Sequence, residues 1–295
     1  DRHVFFVPCA KGLEPVLHAE ARALRLGRVE RQVGGVRFEG TLADAWRANL
    51  ELRTAVRVLW RLARFPAPDG DALYDGVSAV DWAAFIAPEG TLWVDAQVRD
   101  SALTHSRFVA QRTKDALVDQ LLARTGQRPN VERDNPDLRL HVHVFRDRAT
   151  LAVDTSGDSL HKRGWRRAQG RAPLAETLAA GIVALSGWEA RGPLLDPFTG
   201  SGTLVIEAGL MAAHVAPGLF RQFAFERLPG HDAAAFAALK RSLAERRCLP
   251  RKLRIHGFDK IPPASMRSAG LPKQVPTPHQ RRARQARRAL AQRGL

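Results

Sequence analysis

The sequence predicts an α/β protein: a mixed unit of strands and helices, followed by the beginning of a doubly wound parallel sheet. Three observations carry this. Strand-like alternation and helix-like spacing succeed one another from Val4 to Asp154. Further on, Leu194-Leu195 runs into Asp196, turns through Gly200-Ser201-Gly202 and continues as an apolar-periodic helix. A second apolar run, Leu253 to Phe258, also ends on an acid, Asp259.

The elements follow in order. Val4-Phe5-Phe6-Val7 predicts a strand, and residues 13–25 a helix with Leu13, Leu17, Ala21 and Leu24 on one side. Gly34–Phe38 predicts a strand after a glycine turn, and 42–53 a second helix. Leu92, Val94, Ala96 and Val98 alternate with Trp93, Asp95 and Gln97, the mark of a half-buried strand. A helix over 106–124 carries Phe108, Val109, Ala116, Leu117 and Leu121 as its apolar side. Leu138, Leu140, Val142 and Val144 make another alternating strand, and Thr150–Asp154 one more. Pro173 opens a helix, where its missing N–H costs nothing, with Leu174, Leu178, Ile182 and Leu185 as the expected buried stripe. Strand 193–195 and helix 203–213, with Leu204, Ala208 and Met211 inward, begin the second sheet. Leu253–Asp259 is its second strand.

Composition bounds the function. A chain of 295 residues, 45% of them hydrophobic, has room for about two cores. It holds no apolar run long enough for a membrane span, and Asp1-Arg2-His3-Val4-Phe5-Phe6 lacks a signal peptide's apolar stretch. Cys9 and Cys248 are too few for a disulfide framework or a four-ligand zinc site. His141 and His143 share a strand face with no third ligand in reach, which reads as a solvated polar face rather than a metal pair. A cytoplasmic protein with no metal, membrane or disulfide partner is expected. The net charge of +16 is uneven: residues 251–295 hold 12 Lys/Arg and one acid, leaving 34 cations against 29 acids in the rest. A mildly basic body suits an RNA partner.

The glycine loop is the most specific signal. Gly200 and Gly202 allow backbone angles and a close approach that a side chain would block, and the helix N-terminus beside them favours an anionic or polar ligand. Three other chemistries fail on spacing. Val205 stands where a dinucleotide fingerprint has its third glycine, no Gly-Lys-Ser/Thr ends the loop, and Thr199 stands where a nucleophile elbow has its first glycine. A basic segment precedes it: Lys162, Arg163, Arg166, Arg167 and Arg171 lie within eleven residues around Trp165, a composition that attracts a polyanion.

The string Asp196-Pro197-Phe198-Thr199-Gly200-Ser201-Gly202-Thr203 resembles motif I of class I S-adenosylmethionine methyltransferases. Other segments extend the likeness in order: Gly12-Leu13-Glu14, Gly34-Gly35-Val36-Arg37-Phe38-Glu39-Gly40, Leu52-Arg53-Thr54-Ala55-Val56-Arg57-Val58-Leu59, Phe108-Val109-Ala110-Gln111-Arg112-Thr113-Lys114-Asp115-Ala116 and Ser159-Leu160-His161-Lys162-Arg163-Gly164-Trp165-Arg166. Together they resemble the THUMP-containing bacterial 23S rRNA guanine-N2 methyltransferases of the RlmL/RlmKL type over about residues 4–259.

The resemblance implies an N-terminal ferredoxin-like element (1–54), a THUMP RNA-binding domain (55–155), a basic linker (156–172), a partial, Rossmann-like methyltransferase domain (173–259) and a basic Pro/Arg-rich tail (260–295), expected to be disordered. It implies S-adenosylmethionine as cofactor, held by Asp196, Phe198, Thr199, Gly200, Gly202, Thr203, Asp259 and Pro173. It implies structured 23S rRNA as partner, contacted by Arg107, Arg112 and Lys114 on helix 106–124 and by Lys162, Arg163, Trp165, Arg166 and Arg167 in the linker.

After Asp259 the chain departs from the family pattern with Lys260-Ile261-Pro262-Pro263, and the prolines oppose helix continuation. The family's Asn/Asp-Pro-Pro-aromatic motif, which holds the target base, is absent. About 100 residues follow Leu195, where such a domain takes roughly 150–200. The chain is therefore expected to be a truncated or frameshifted methyltransferase, inactive alone, with a non-catalytic THUMP RNA-binding module as the alternative.

Overall fold

The computed structural model describes residues 1–165, 174–248 and 253–259. Its first unit is one sheet of eight strands in the order β2-β3-β1-β4-β8-β7-β5-β6. The strands are β1 (His3–Pro8), β2 (Gly27–Gln32), β3 (Gly35–Gly40), β4 (Leu59–Pro66), β5 (Thr91–Arg99), β6 (Asn130–Val131), β7 (Leu138–Phe145) and β8 (Arg148–Asp154). Helices α1 (Glu14–Ala23), α2 (Leu42–Glu51), α3 (Gly70–Ser78) and α4 (Ser106–Thr125) lie between them in the chain. The expected ferredoxin-like and THUMP stretches thus share one continuous sheet, joined where β4 pairs antiparallel with both β1 and β8.

The alternation read from sequence sets which face is buried. Phe5, Val7, Val36 and Phe38 meet Leu17 and Ala21 of α1 in one core. Leu92, Val94, Leu138, Leu140 and Val142 meet Val109, Ala116, Leu117 and Leu121 of α4 in a second. Phe108, expected on the apolar side of α4, is 48% exposed instead. Local signals place the helix ends. Thr41 and Asp44 close a capping box on α2, Asp69 caps α3 through the Asp71 and Ala72 amides, and Gly126 ends α4 in the left-handed region.

The second unit is small. Helix α5 (Glu176–Leu185) precedes strand β9 (Leu194–Asp196), which the glycine loop joins to α6 (Thr203–Ala212). Strand β10 (Ile255–Gly257) pairs parallel with β9, Gly257 opposite Asp196. Val183, Val205, Ala208 and Ile255 form its core, edged by Trp188 and Leu194. One expectation is overturned here. Leu178, Ile182 and Leu185 of α5 are 37%, 41% and 64% exposed, and the buried face is the small one, Ala179, Ala180, Gly181 and Val183. The cause is close packing: a Cβ on Gly181 would sit 2.5 Å from Leu13 Cδ1, so only a small-residue face lets α5 approach.

Residues 214–248 leave the second unit and pack on the first. Phe223, Phe225, Phe236 and Leu243 join the core of Phe5 and Leu50. Phe236 and Leu243 come from helix α7 (Ala233–Glu245). Trp46 of α2 stacks on Phe225 at 5.9 Å and meets Phe236 edge-on at 5.8 Å. The Gly218 amide donates to Leu50 O at 2.9 Å. No helix among the described residues is long and apolar enough to cross a membrane.

A Cβ on Gly218 would lie 2.7 Å from Asn49 O and 2.8 Å from Leu50 Cα, both backbone. Gly218→Ala is therefore expected to cost about 1–3 kcal/mol, read as a drop in thermal midpoint of several degrees. Gly192→Ala, with no atom within 4 Å of its Cβ, is the control expected to stay at the native midpoint.

Candidate cofactor site

The parallel pair β9/β10 brings two acids to one end of the sheet. Asp196 closes β9, and Asp259 lies just beyond its partner strand. The loop between β9 and α6 folds over that end. The Thr199 amide donates to Phe258 O at 2.8 Å, the Phe258 amide to Asp196 O at 2.8 Å, and the Gly202 amide to Thr199 O at 2.7 Å. Gly200 and Gly202 have φ of +51° and +86°, the left-handed region that glycine adopts without strain. Asp196 Oδ1 accepts from the Phe198 amide at 3.1 Å, and Asp259 Oδ2 accepts from the Gly200 amide at 2.8 Å. Sequence positions 59 apart thus meet across the loop.

Gly202 starts α6 with no side-chain cap, so the first amides of that helix turn toward the strand ends. Thr203 is 3% exposed, with its hydroxyl 3.3 Å from Ser201 Oγ. Phe198 stands 87% exposed at the rim. Thr199 Oγ1 is buried without a hydrogen-bond partner among the described residues. It packs against Gly257, where a Cβ would come within 2.7 Å of that oxygen. A buried hydroxyl left unsatisfied in this way costs about 1–3 kcal/mol and marks where a polar ligand group fits. Among the expected cofactor residues, six converge with Asp196 or within one turn of it; Pro173 lies outside the described residues.

The expected RNA residues fare differently. Arg163 is 3% exposed and ion-paired at 3.4 Å with Glu207 of α6, itself 0% exposed. Its Nη1 donates to Leu160 O at 2.9 Å and its Nη2 to Arg53 O. That makes it an internal tie rather than an RNA contact, because no charged atom is left at the surface. Trp165 packs on Ile206, Leu210, Ala213 and Val215 as an anchor, not an open base platform. Arg112 donates to Gly70 O at 3.0 Å and Asp71 Oδ1 at 2.6 Å and lies 4.4 Å over the Tyr74 ring, stapling α3 to α4. Lys114 pairs with Asp115 at 3.1 Å and Lys162 with Asp158 at 2.9 Å. Arg107 is exposed on α4. Arg166 and Arg167 lie outside the described residues.

Sequence reasoning missed the polar junction behind the loop. Arg221 donates to four carbonyls of the linker: Ser156 at 3.2 Å, Ser159 at 2.8 Å, Lys162 at 3.2 Å, and Asp158. Burial, and then positive neighbours led by Arg163, pull its guanidinium down to about 10, against the carboxylate of Asp158. Arg53 donates to Val215 O at 2.6 Å, and burial holds its guanidinium below the usual range. The one available signal was Glu207, a lone acid inside the apolar string Leu204-Val205-Ile206-Glu207-Ala208, which needs a partner if buried.

Comparison with known proteins adds to this geometry. The RMKL-like methyltransferase domain matches residues 163–269, ten residues past Asp259, where the sequence resemblance stops. The THUMP domain matches 67–154 and the RlmL ferredoxin-like domain 4–59. Over 247 residues the chain is 46% identical to the ribosomal RNA large subunit methyltransferase K/L of Methylococcus capsulatus, covering 82% of this chain and 34% of that protein. The chain spans about a third of the length of the curated relatives it matches. A structure from Listeria monocytogenes described as a predicted N6-adenine-specific DNA methylase is 32% identical with a TM-score of 0.81, covering 88% of this chain and 68% of that one. A methyltransferase structure complexed with SAH is 31% identical, TM-score 0.80, covering 88% and 69%.

Glu207→Ala strands the Arg163 charge in the interior and is expected to cost about 3–5 kcal/mol, measured by urea unfolding. Glu207→Gln, which keeps a polar partner, is expected to cost less. A loss under about 1 kcal/mol for Glu207→Ala would mean the pair carries no weight in the fold.

Proposed function

The chain belongs to the family of THUMP-bearing, RMKL-like methyltransferases, and from that premise we propose that its glycine loop holds S-adenosylmethionine for methylation of RNA. The observation that carries this reading is the convergence of Asp196, Asp259, Gly200 and Gly202 at the carboxyl ends of two parallel strands, with the buried Thr199 hydroxyl awaiting a partner. That is the ligand position of open α/β sheets. S-adenosylmethionine supplies an activated methyl group.

The residues take distinct roles. Asp259, ending the second strand, suits the ribose hydroxyls, exchanging its bond to the Gly200 amide for one to the sugar. The amides at the start of α6 and the turned backbone at Gly200 and Gly202 suit the polar end of the ligand. Asp196 holds the loop through the Phe198 amide and offers its other oxygen to an ammonium. Phe198, Thr203 and Pro173 complete the proposed set, and positioning supplies the rate enhancement.

For the whole protein, the proposed reaction is methylation of guanine N2 in 23S rRNA, with the base turned out of its stack, in the cytoplasm. The relatives named for large-subunit RNA support the substrate. The domain limits proposed are 1–54, 55–155, 156–172, 173–259 and 260–295. A second reading, RNA binding without catalysis by this chain, is favoured by one sequence fact: no Asn/Asp-Pro-Pro-aromatic string occurs in the 295 residues.

Titration calorimetry of the full chain with S-adenosylmethionine is expected to give one site per chain. Asp196→Ala is expected to weaken it at least tenfold while leaving the unfolding midpoint near native, because Asp196 is only partly buried. Equal heats from both proteins would remove the loop from the site.

A further inference from the structure

The eight-stranded sheet has a second face. The helices and the 214–248 segment pack on the side of Phe5, Leu140 and Val153. The alternate residues point the other way, and among them Arg64, Arg99, His143 and Arg148 are exposed. At the two ends of this face the charges are matched. Arg37 pairs with Glu39 at 2.5 Å and with Glu30 at 3.3 Å, and Arg139 pairs with Asp95 at 3.0 Å. Between them runs a strip across β1, β4, β8 and β7 in which no carboxylate among the described residues pairs with Arg61, Arg64 or Arg148. Among the described residues Arg61 donates only to a neutral oxygen, Gln32 Oε1, at 3.1 Å.

The strip also carries rings. Arg61 lies 4.8 Å over Phe6, and His143 and Phe145 stand 6.3 Å apart at 11°, nearly coplanar in orientation. Strand register sets the cations beside these rings: His143 faces Thr150, whose other neighbour is Arg64, and Phe145 faces Arg148. Burial first, then the positive Arg61 and Arg99, keeps the His143 imidazole below its usual range, so it stays neutral and able to stack. Spare cations beside ring faces on an open sheet are the two elements that hold unpaired nucleotides: phosphate neutralisation and base stacking.

We propose that this open strip is an RNA-binding surface, on which Arg61, Arg64 and Arg148 take phosphates while Phe6, His143 and Phe145 take the faces of unstacked bases. The proposal rests on the RNA reading above and relocates its contact: α4, where Arg112 and Lys114 are internally paired, is not the main surface. Three like charges with no carboxylate partner among the described residues favour a polyanion over a protein surface of mixed charge.

The test is fluorescence anisotropy of the full chain with a fluorescein-labelled RNA hairpin carrying an unpaired 3′ strand, at several salt concentrations. The triple variant R61E/R64E/R148E is expected to bind at least tenfold more weakly. Its salt slope is expected to be smaller by about two, since each neutralised phosphate of a single strand contributes roughly 0.7. Phe145→Ala is expected to lose at least about fivefold with the slope unchanged, and Arg107→Glu less than twofold. Crosslinking of the same hairpin substituted with 4-thiouridine to the unaltered chain needs no folded variant, and attachment is expected within 59–66 and 141–150. Wild-type affinity in the triple variant, with crosslinks elsewhere, overturns the surface and leaves RNA binding standing. Intact RNA affinity in the triple variant, with the unaltered chain dimeric and the variant monomeric by light scattering, makes the face an interface between copies and overturns it too. No binding by the unaltered chain ends the RNA reading and the surface with it.

Discussion

The ion pair between Arg163 and Glu207 is the constraint on which the arrangement depends. Glu207 sits on α6, one turn after the glycine loop, and Arg163 lies in the linker that leaves the eight-stranded sheet. Both are out of water, so each is costly alone and tolerable only with the other. The linker is held from behind by Arg221, whose guanidinium spans four of its carbonyls. Arg221 in turn comes from the 214–248 segment, which is anchored in the first core by Phe223 and Phe225. The loop that gathers Asp196 and Asp259 therefore has a set position relative to the larger sheet.

That arrangement divides labour between faces. One face of the large sheet is spent on the cores that support α1 to α4 and the inserted segment. Among the described residues no helix packs on the other, where β-structure is stable with polar residues outward. The small β9/β10 pair has too little apolar area to stand by itself: its core is Val183, Val205, Ala208 and Ile255 with a few partly buried neighbours. It gains order from α5 against Leu13 and from the ionic junction, both contacts with the first unit. The proposed methyl transfer requires a fixed angle between the sheet proposed to bind RNA and the proposed cofactor loop, since misplacement by about 1 Å is expensive.

Much of this was legible in the sequence. Period-two alternation in Leu92–Val98 and Leu138–Val144 placed β5 and β7, and the Asp196-to-Thr203 string placed the loop with its two glycines. What escaped had physical reasons. Strand β2, Gly-Arg-Val-Glu-Arg-Gln, is an edge strand with too few apolar residues to alternate. Strand β4 is bulged between Arg61 and Ala63, which breaks its period. The stripe of α5 was read backwards because large apolar residues normally mark the buried side, whereas here Gly181 and its small neighbours permit the close approach. The basic residues around Trp165 read as surface in the sequence, yet Arg163 is buried and Trp165 packs partly buried on α6. Linear composition does not tell an arginine that meets a phosphate from one that meets a glutamate 44 residues away.

The central claim is that the loop between β9 and α6 is the S-adenosylmethionine site of this chain and is held rigidly on the large sheet. Hydrogen exchange with mass spectrometry, with and without saturating S-adenosylmethionine, tests it directly. The account predicts slowed exchange in peptides covering 194–203 and 255–259, where the Phe198, Thr199, Gly200 and Phe258 amides lie, and unchanged exchange in the strands of the large sheet. Unchanged exchange at the loop, or protection confined to the large sheet, would contradict it.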